Sequence, residues 1–137
     1  YGLDIDENGL PDYLNEPSVY TGIDEGMTKF FNTTIRSGQV VEYEGNIVII
    51  GDVNPGALIK AWGNIIILGK LRGVAHAGAN GNENAYVAAY TLQPTQLRIG
   101  DIIARKPDGE FAASDIPEVA RVYSGEVVIE SYLAKKQ

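Results

Sequence analysis

His76, the single histidine of the chain, lies in the run Ala75-His76-Ala77. An imidazole serves as a general base when a second polar group orients it, because its ordinary pKa lies near neutrality. No such group is evidently aimed at it, and a lone histidine among alanines reads first as a packed or surface residue. Arg36-Ser37-Gly38-Gln39 offers a forked cation, a hydroxyl, a flexible backbone and an amide, a set suited to polar recognition. A strand entry with a turn glycine would use the same residues, and composition alone leaves the two open. Asp4, Asp6, Asn8 and Gly9 match the first half of a calcium loop, with Asp12 at its ninth position. The twelfth position is Asn15 where a bidentate glutamate belongs, and Glu16 stands one residue late, so an acidic linker is the preferred reading. Gly73, Gly78 and Gly81 with Asn80 would suit a phosphate-cradling loop, but no Gly-Lys-Ser/Thr end or helix start follows them. Corner glycines explain that pattern.

The elements that hold these groups must come from a chain of 137 residues, the size of one domain. Hydrophobic residues make up 45% of it, enough to bury a core. The absence of cysteine excludes disulfides, thiolate metal sites and cysteine nucleophiles, and fits a reducing compartment. One histidine excludes any site built from several imidazoles, including the three-histidine zinc centre of carbonic anhydrases. No apolar run approaches the length of a membrane span, and no signal peptide opens the chain. Tyr1 in place of an initiator methionine predicts a piece of a longer protein. The net charge of −7 is segregated. Residues 1–35 hold seven acids against Lys29, a balance of −6, and residues 36–137 hold eleven acids against ten bases, a balance of −1. A nearly neutral body with scattered arginines predicts no nucleic-acid partner and no direct grip on an anionic membrane.

A repeat lies in the middle of the chain. Gly45 to Trp62 aligns with Gly63 to Asn80 at an offset of eighteen, G-N-I-V-I-I-G over G-N-I-I-I-L-G, with Ala57 and Ala61 recurring as Ala75 and Ala79. Gly81-Asn82 opens a third unit, and looser openings stand at Gly38-Gln39, Gly100-Asp101 and Gly125-Glu126. Apolar residues recur every six positions at Ile47, Val53, Ile59, Ile65, Leu71 and Ala77. Three short strands with corners between them make one triangular coil of eighteen, and stacked coils bury what a single coil cannot. The prediction is an all-β chain, a short parallel β-helix of triangular coils from about Ile35 to Ile129, with a strand near Ala85 to Tyr90 and a surface excursion over Lys106 to Pro117. The domain limits are an acidic leader at 1–28, the β-helix domain at 29–133 and a polar tail at 134–137. A β-sandwich would alternate strands with hairpin turns and would not hold a fixed register. The six-residue period also resembles that of hexapeptide-repeat acyltransferases, which would make His76 a general base; that is the alternative reading, although the later units lose the register.

Arg36-Ser37-Gly38-Gln39, Gly51-Asp52-Val53-Asn54-Pro55-Gly56-Ala57, Gly63-Asn64-Ile65 and Leu71-Arg72-Gly73-Val74-Ala75-His76-Ala77-Gly78-Ala79 together resemble the C-terminal domain family of MinC, the bacterial septum-site-determining protein. The resemblance runs from about Lys29 to Glu130 and includes Pro94-Thr95-Gln96-Leu97-Arg98-Ile99 and Pro117-Glu118-Val119-Ala120-Arg121. It implies a right-handed β-helix that dimerises through one sheet face, in a cytoplasmic inhibitor of division that is not an enzyme and needs no cofactor or metal. It implies binding to MinD, the membrane-associated ATPase, through Arg36, Ser37, Gly38 and Gln39, joined by Gly56, with membrane recruitment only through MinD. It further implies contact with the tail of the tubulin-like FtsZ at Arg72, Gly73 and Val74, the last being basic in some members. Lys60 and Trp62 depart from the family pattern, where an apolar residue and a glycine are usual.

Overall fold

The computed structural model describes residues 21–105 and 116–131. The described residues form strands without a helix, and the first eight strands alternate between two sheets. Sheet one contains β1 (Thr28–Phe31), β3 (Asn46–Ile49), β5 (Ile65–Leu71), β7 (Val87–Leu92), β10 (Glu118–Tyr123) and β11 (Glu126–Ser131), in that spatial order. Sheet two contains β2 (Val40–Tyr43), β4 (Leu58–Ala61), β6 (Val74–Ala77), β8 (Gln96–Ile99) and β9 (Ile102–Ile103). A narrow third side is made by parallel bridges Ile35↔Val53 and Val53↔Leu71, continued by Leu71↔Leu92. The triangular coil expected from the repeat is therefore what forms, with two broad sides and one narrow one.

The apolar period places one buried column on each side. Ile47, Ile65 and Val87 stack through sheet one, and Val41, Ile59, Ala75 and Leu97 through sheet two. Ile35, Val53, Leu71 and Leu92 fill the third side. All six residues of the six-residue period are fully buried. Burying an Ile or Leu side chain contributes about 1.5–3 kcal/mol, so these columns are the main drive for stacking coils.

The register departs from eighteen in sheet two, in the long coil that follows, and after the irregularity in β5, where Leu71 stands opposite Leu92 at an offset of twenty-one. Ile59 pairs with Ala75, sixteen residues on, and Ala77 pairs with Ile99. The corner before β6 is only Arg72-Gly73, whereas the corner before β4 runs from Asn54 to Ala57. A two-residue change keeps the inward set inward, because side chains alternate with a period of two. The next coil is longer instead, with Ile65 opposite Val87 at an offset of twenty-two. The added residues form the turn at Gly78, whose φ of 58° and contact with the Asn82 carbonyl leave no room for a Cβ.

Both ends of the stack differ from the expected run of Ile35 to Ile129. Parallel pairing begins earlier, at Thr28 opposite Asn46. It ends earlier too, because Gly100-Asp101 turns the chain into antiparallel β9, and Ser124-Gly125 closes the β10–β11 hairpin. Those Gly-Asp and Gly-Glu pairs are tight turns and do not open new coils. The strand expected near Ala85 to Tyr90 is β7, while residues 106–115 of the expected excursion lie outside the described residues.

Candidate partner-binding surfaces

The eight residues singled out for partner binding meet on one edge of the coil, where the narrow third side turns into sheet two. In the first layer, Arg36 N–H donates to Gln39 Oε1 at 2.6 Å, and Gln39 N–H donates to Arg36 O at 3.0 Å. This closed turn needs Gly38 at a φ of 87° and leaves Arg36 to Gln39 exposed. The second layer lies directly on it. Gly38 N–H donates to Gly56 O at 2.9 Å, and Asn54 N–H donates to Ile35 O at 2.9 Å. Gly56 has a φ of 92°, and a Cβ there would strike Ser37 Oγ and come within 3.1 Å of Ser37 Cβ.

The third layer continues the edge. Arg72 N–H donates to Val53 O at 2.8 Å, its guanidinium reaches Asn54 Oδ1 at 3.3 Å, and Val74 N–H donates to Ala57 O at 2.9 Å. Gly73 is buried against the carbonyls of Ala57 and Asn54, so it is a packing glycine, and only Arg72 of this pair presents its side chain to solvent. Thr95 Oγ donates to Arg72 O at 2.7 Å from the layer beyond. With layers about 4.8 Å apart, the Arg36 and Arg72 turns stand about 10 Å apart along one edge. A depression of about 390 Å³ beside the first layer is lined by Phe31, Thr34, Ile35, Arg36, Gln39 and Val40, among others.

Sheet two carries polar rungs on its outward side. Glu42, Lys60, His76 and Arg98 are paired in sequence across β2, β4, β6 and β8. Lys60 Nζ lies 3.9 Å from Glu42 Oε2, and Arg98 lies 3.5 Å from Asp101. His76 Nε2 is 2.9 Å from Gly100 O; a carbonyl only accepts, so Nε2 carries the proton. Arg98 Nε–H donates to the same oxygen at 3.2 Å. His76 thus stands between Lys60 and Arg98 in this row with one ring nitrogen already engaged. The neighbouring outward row is Val40, Leu58, Val74 and Gln96, so Val74 contributes apolar surface.

Sheet one is apolar on its outward side at Phe30, Val48, Ile66, Leu68 and Tyr90, and sequence reasoning missed what borders this surface. Asn46 and Asn64 point outward by strand alternation but are almost fully buried, because residues 23–27 cross over them. Asn46 Nδ2 donates to Glu25 O at 2.8 Å and Met27 O at 3.2 Å, and Asn64 Nδ2 donates to Glu25 Oε1 at 2.8 Å. Asn64 N–H donates to Asn46 Oδ1 at 2.7 Å, and Tyr86 N–H donates to Asn64 Oδ1 at 2.9 Å. The signal was present as the repeated Gly45-Asn46 and Gly63-Asn64, an asparagine recurring at the coil length. Beside this ladder the Arg121 guanidinium lies 4.7 Å from the Tyr86 ring centroid. Burial raises the Tyr86 hydroxyl pKa, the Glu25 carboxylate adds to that, and Arg121 opposes it.

Trp62 is partly exposed at the corner above Tyr43, its backbone N–H donating to Tyr43 O at 3.1 Å. Among the described residues no cluster of metal-ligating side chains occurs, and no helix is long and apolar enough to cross a membrane. The half calcium loop at Asp4 to Gly9 lies outside the described residues.

A family model described as "Septum formation inhibitor MinC, C-terminal domain" matches residues 29–132. A relative in Acetivibrio thermocellus named "Probable septum site-determining protein MinC" is 55% identical over 115 residues, 83% of this chain and 51% of that protein. One of the same name in Clostridium novyi is 51% identical over 118 residues, 86% of this chain and 56% of that protein. The chain spans about half the length of these curated relatives. A solved structure titled "MinC:MinD cell division protein complex, Aquifex aeolicus" superposes with a TM-score of 0.73 at 37% identity, covering 80% of this chain and 90% of that one.

Proposed function

The chain belongs to the MinC C-terminal domain family, and on that premise we propose that it is the dimeric, non-enzymatic interaction module of a division inhibitor that docks on MinD. Arg36, Ser37, Gly38, Gln39 and Gly56 form the MinD site. Arg72, Gly73 and Val74 engage the FtsZ tail, Arg72 with its charge and Val74 with apolar contact, Gly73 holding the turn between them. The outward side of sheet one pairs two copies. The protein works in the cytoplasm and reaches the membrane only through MinD. The observation that carries this reading is the single edge on which the Arg36, Gly56 and Arg72 turns are stacked by backbone hydrogen bonds. A solved structure of similar fold is titled a MinC:MinD complex, which favours MinD as the partner. A rigid two-fold module would present this edge twice, so weak contacts to partners clustered on a membrane gain avidity of about 10²-fold or more.

Capture of the chain by MinD with ATP, with and without lipid vesicles, tests the proposal beside Arg36→Ala. The Arg36 side chain is exposed and its backbone bonds do not depend on it. The variant should therefore keep its fold and dimer and lose capture at least tenfold. An unfolded or monomeric variant would make Arg36 structural, and undiminished capture would move the site elsewhere. The acyltransferase alternative has no comparable support, since His76 stands between Lys60 and Arg98.

A further inference from the structure

The segment before β1 is built into the domain at one place, the Asn46–Asn64 ladder. Four hydrogen bonds from the two side-chain amides reach Glu25, Met27 and Thr28, so without this strap both amides would lose partners. A buried donor left without its acceptor is costly, which makes the strapped arrangement the stable one. The strap does more than cover asparagines. Ile23 to Gly26 stand along one side of a cavity of about 400 Å³, whose other side is the outward surface of sheet one at Phe30, Val48 and Ile66. The same surface runs on through Ile50, Leu68 and Tyr90, all exposed.

We propose that this strap, clipped by Glu25 to Asn64, forms a wall of the interface between two copies of the chain, with Ile23 contacting the second copy. The inference rests on the reading that sheet one pairs two copies. A second copy is the occupant that fits, because the outward rows Phe30, Val48, Ile66 and Ile50, Leu68, Tyr90 are uncharged. Lys70 follows the irregularity in β5, beyond these rows. These uncharged rows meet their own copy without repulsion, the outward charges Arg121, Glu126 and Glu130 standing beyond them on β10 and β11, whereas sheet two carries Glu42, Lys60 and Arg98 through the middle of its outward side, where pairing would desolvate them. Ile23 is 80% exposed, and its place on the cavity wall continues the apolar surface outward. The clip also fixes where the preceding polypeptide leaves the domain, at the rim of the paired face.

Sedimentation equilibrium of the whole chain tests this with three variants, Glu25→Ala, Ile23→Ser and Leu68→Glu. The parent should dimerise, Leu68→Glu should be monomeric, and Glu25→Ala and Ile23→Ser should each raise the dissociation constant about tenfold. Ile23→Ser alters only an exposed side chain, so its effect cannot come from unfolding. If Leu68→Glu is monomeric while both strap variants dimerise like the parent, the strap is outside the interface and the inference is overturned. If the parent is monomeric, or Leu68→Glu still dimerises, the pairing of sheet one falls and the strap's role falls with it.

Discussion

Sheet one and sheet two line the same core with the same kinds of residue, yet the middle of one outward side is uncharged and the middle of the other is crossed by a charged row. Outside β1 to β7 of sheet one stand Phe30, Val48, Ile50, Ile66, Leu68 and Tyr90, with Arg121, Glu126 and Glu130 on β10 and β11 beyond them; outside sheet two the row Glu42, Lys60, His76 and Arg98 runs beside Val40, Leu58, Val74 and Gln96. The inward rows are constrained on both sides, because each side chain must stack on the coil below and pack across the triangle. The outward rows meet no such demand from the fold. What they carry therefore reports on what they touch, and an apolar outward row reports an apolar partner.

Ile67 and Leu68 put that contrast on adjacent residues. Ile67 is 1% exposed between Ile49 and Ala89, whereas Leu68 is 47% exposed. Ile67→Ala should cost about 2–5 kcal/mol in urea unfolding, the range for truncating a core side chain. Leu68→Ala should cost no more than about 0.5 kcal/mol when both are measured at concentrations where the chain is monomeric. Equal losses from the two would mean that the outward row is covered within one chain, and the contrast between the sheets would be gone.

The inward rows were legible in the sequence because a six-residue apolar period has one geometric solution at a coil length of eighteen. Ile47, Val53, Ile59, Ile65, Leu71 and Ala77 are all in the core. The slip of Ala75 over Ile59 was not legible, since corner length is set by backbone hydrogen bonds and small residues fit either register. The strap was hidden for a different reason. Residues 23–27 have the composition of a linker, and only the three-dimensional position of Asn46 and Asn64 gives Glu25 something to hold. The edge joining Arg36, Gly56 and Arg72 was half legible: each turn stood out by its residues, but their stacking depends on the coil register.

That edge gives the next test, of smaller effect, because it is specified by neither sheet. Gly56→Ala introduces a Cβ against Ser37 and places alanine at a φ of 92°. The left-handed region costs a non-glycine residue about 1–2 kcal/mol, and moving Ser37 adds to it. The variant should remain folded, lose about 1–3 kcal/mol in urea unfolding, and lose MinD capture by more than its unfolded fraction accounts for. Capture that falls only in step with unfolding would make Gly56 a structural residue. Dimerisation should be unchanged, since sheet one lies away from this edge; a monomeric Gly56→Ala would couple two surfaces that the fold keeps apart.

The smallest effect lies where sheet one's inward row ends. Glu118 occupies an inward position opposite Ala89, at the start of the antiparallel cap, just as Lys29 stands below Ile47 at the other end with its ammonium 5.4 Å from the Tyr43 ring centroid. Each end of the sheet thus closes one inward column with a charged side chain, Lys29 below Ile47 and Glu118 beyond Ala89, in keeping with the polar outer face of a solenoid's terminal units. Burial raises the Glu118 carboxyl pKa above its ordinary value of 4.5. A raised value means that the folded chain holds this proton more tightly than the unfolded chain. The resulting stability is fully present below the ordinary value and is lost as the pH rises through the raised one. Glu118→Gln cannot ionise, so it should melt with the parent near pH 3.5 and above it at pH 7, by less than about 2 °C because the carboxyl is still largely solvated. A gain of the same size at both pH values would assign the effect to packing, and a lower melting point at pH 7 would show that the ionised carboxylate stabilises the cap.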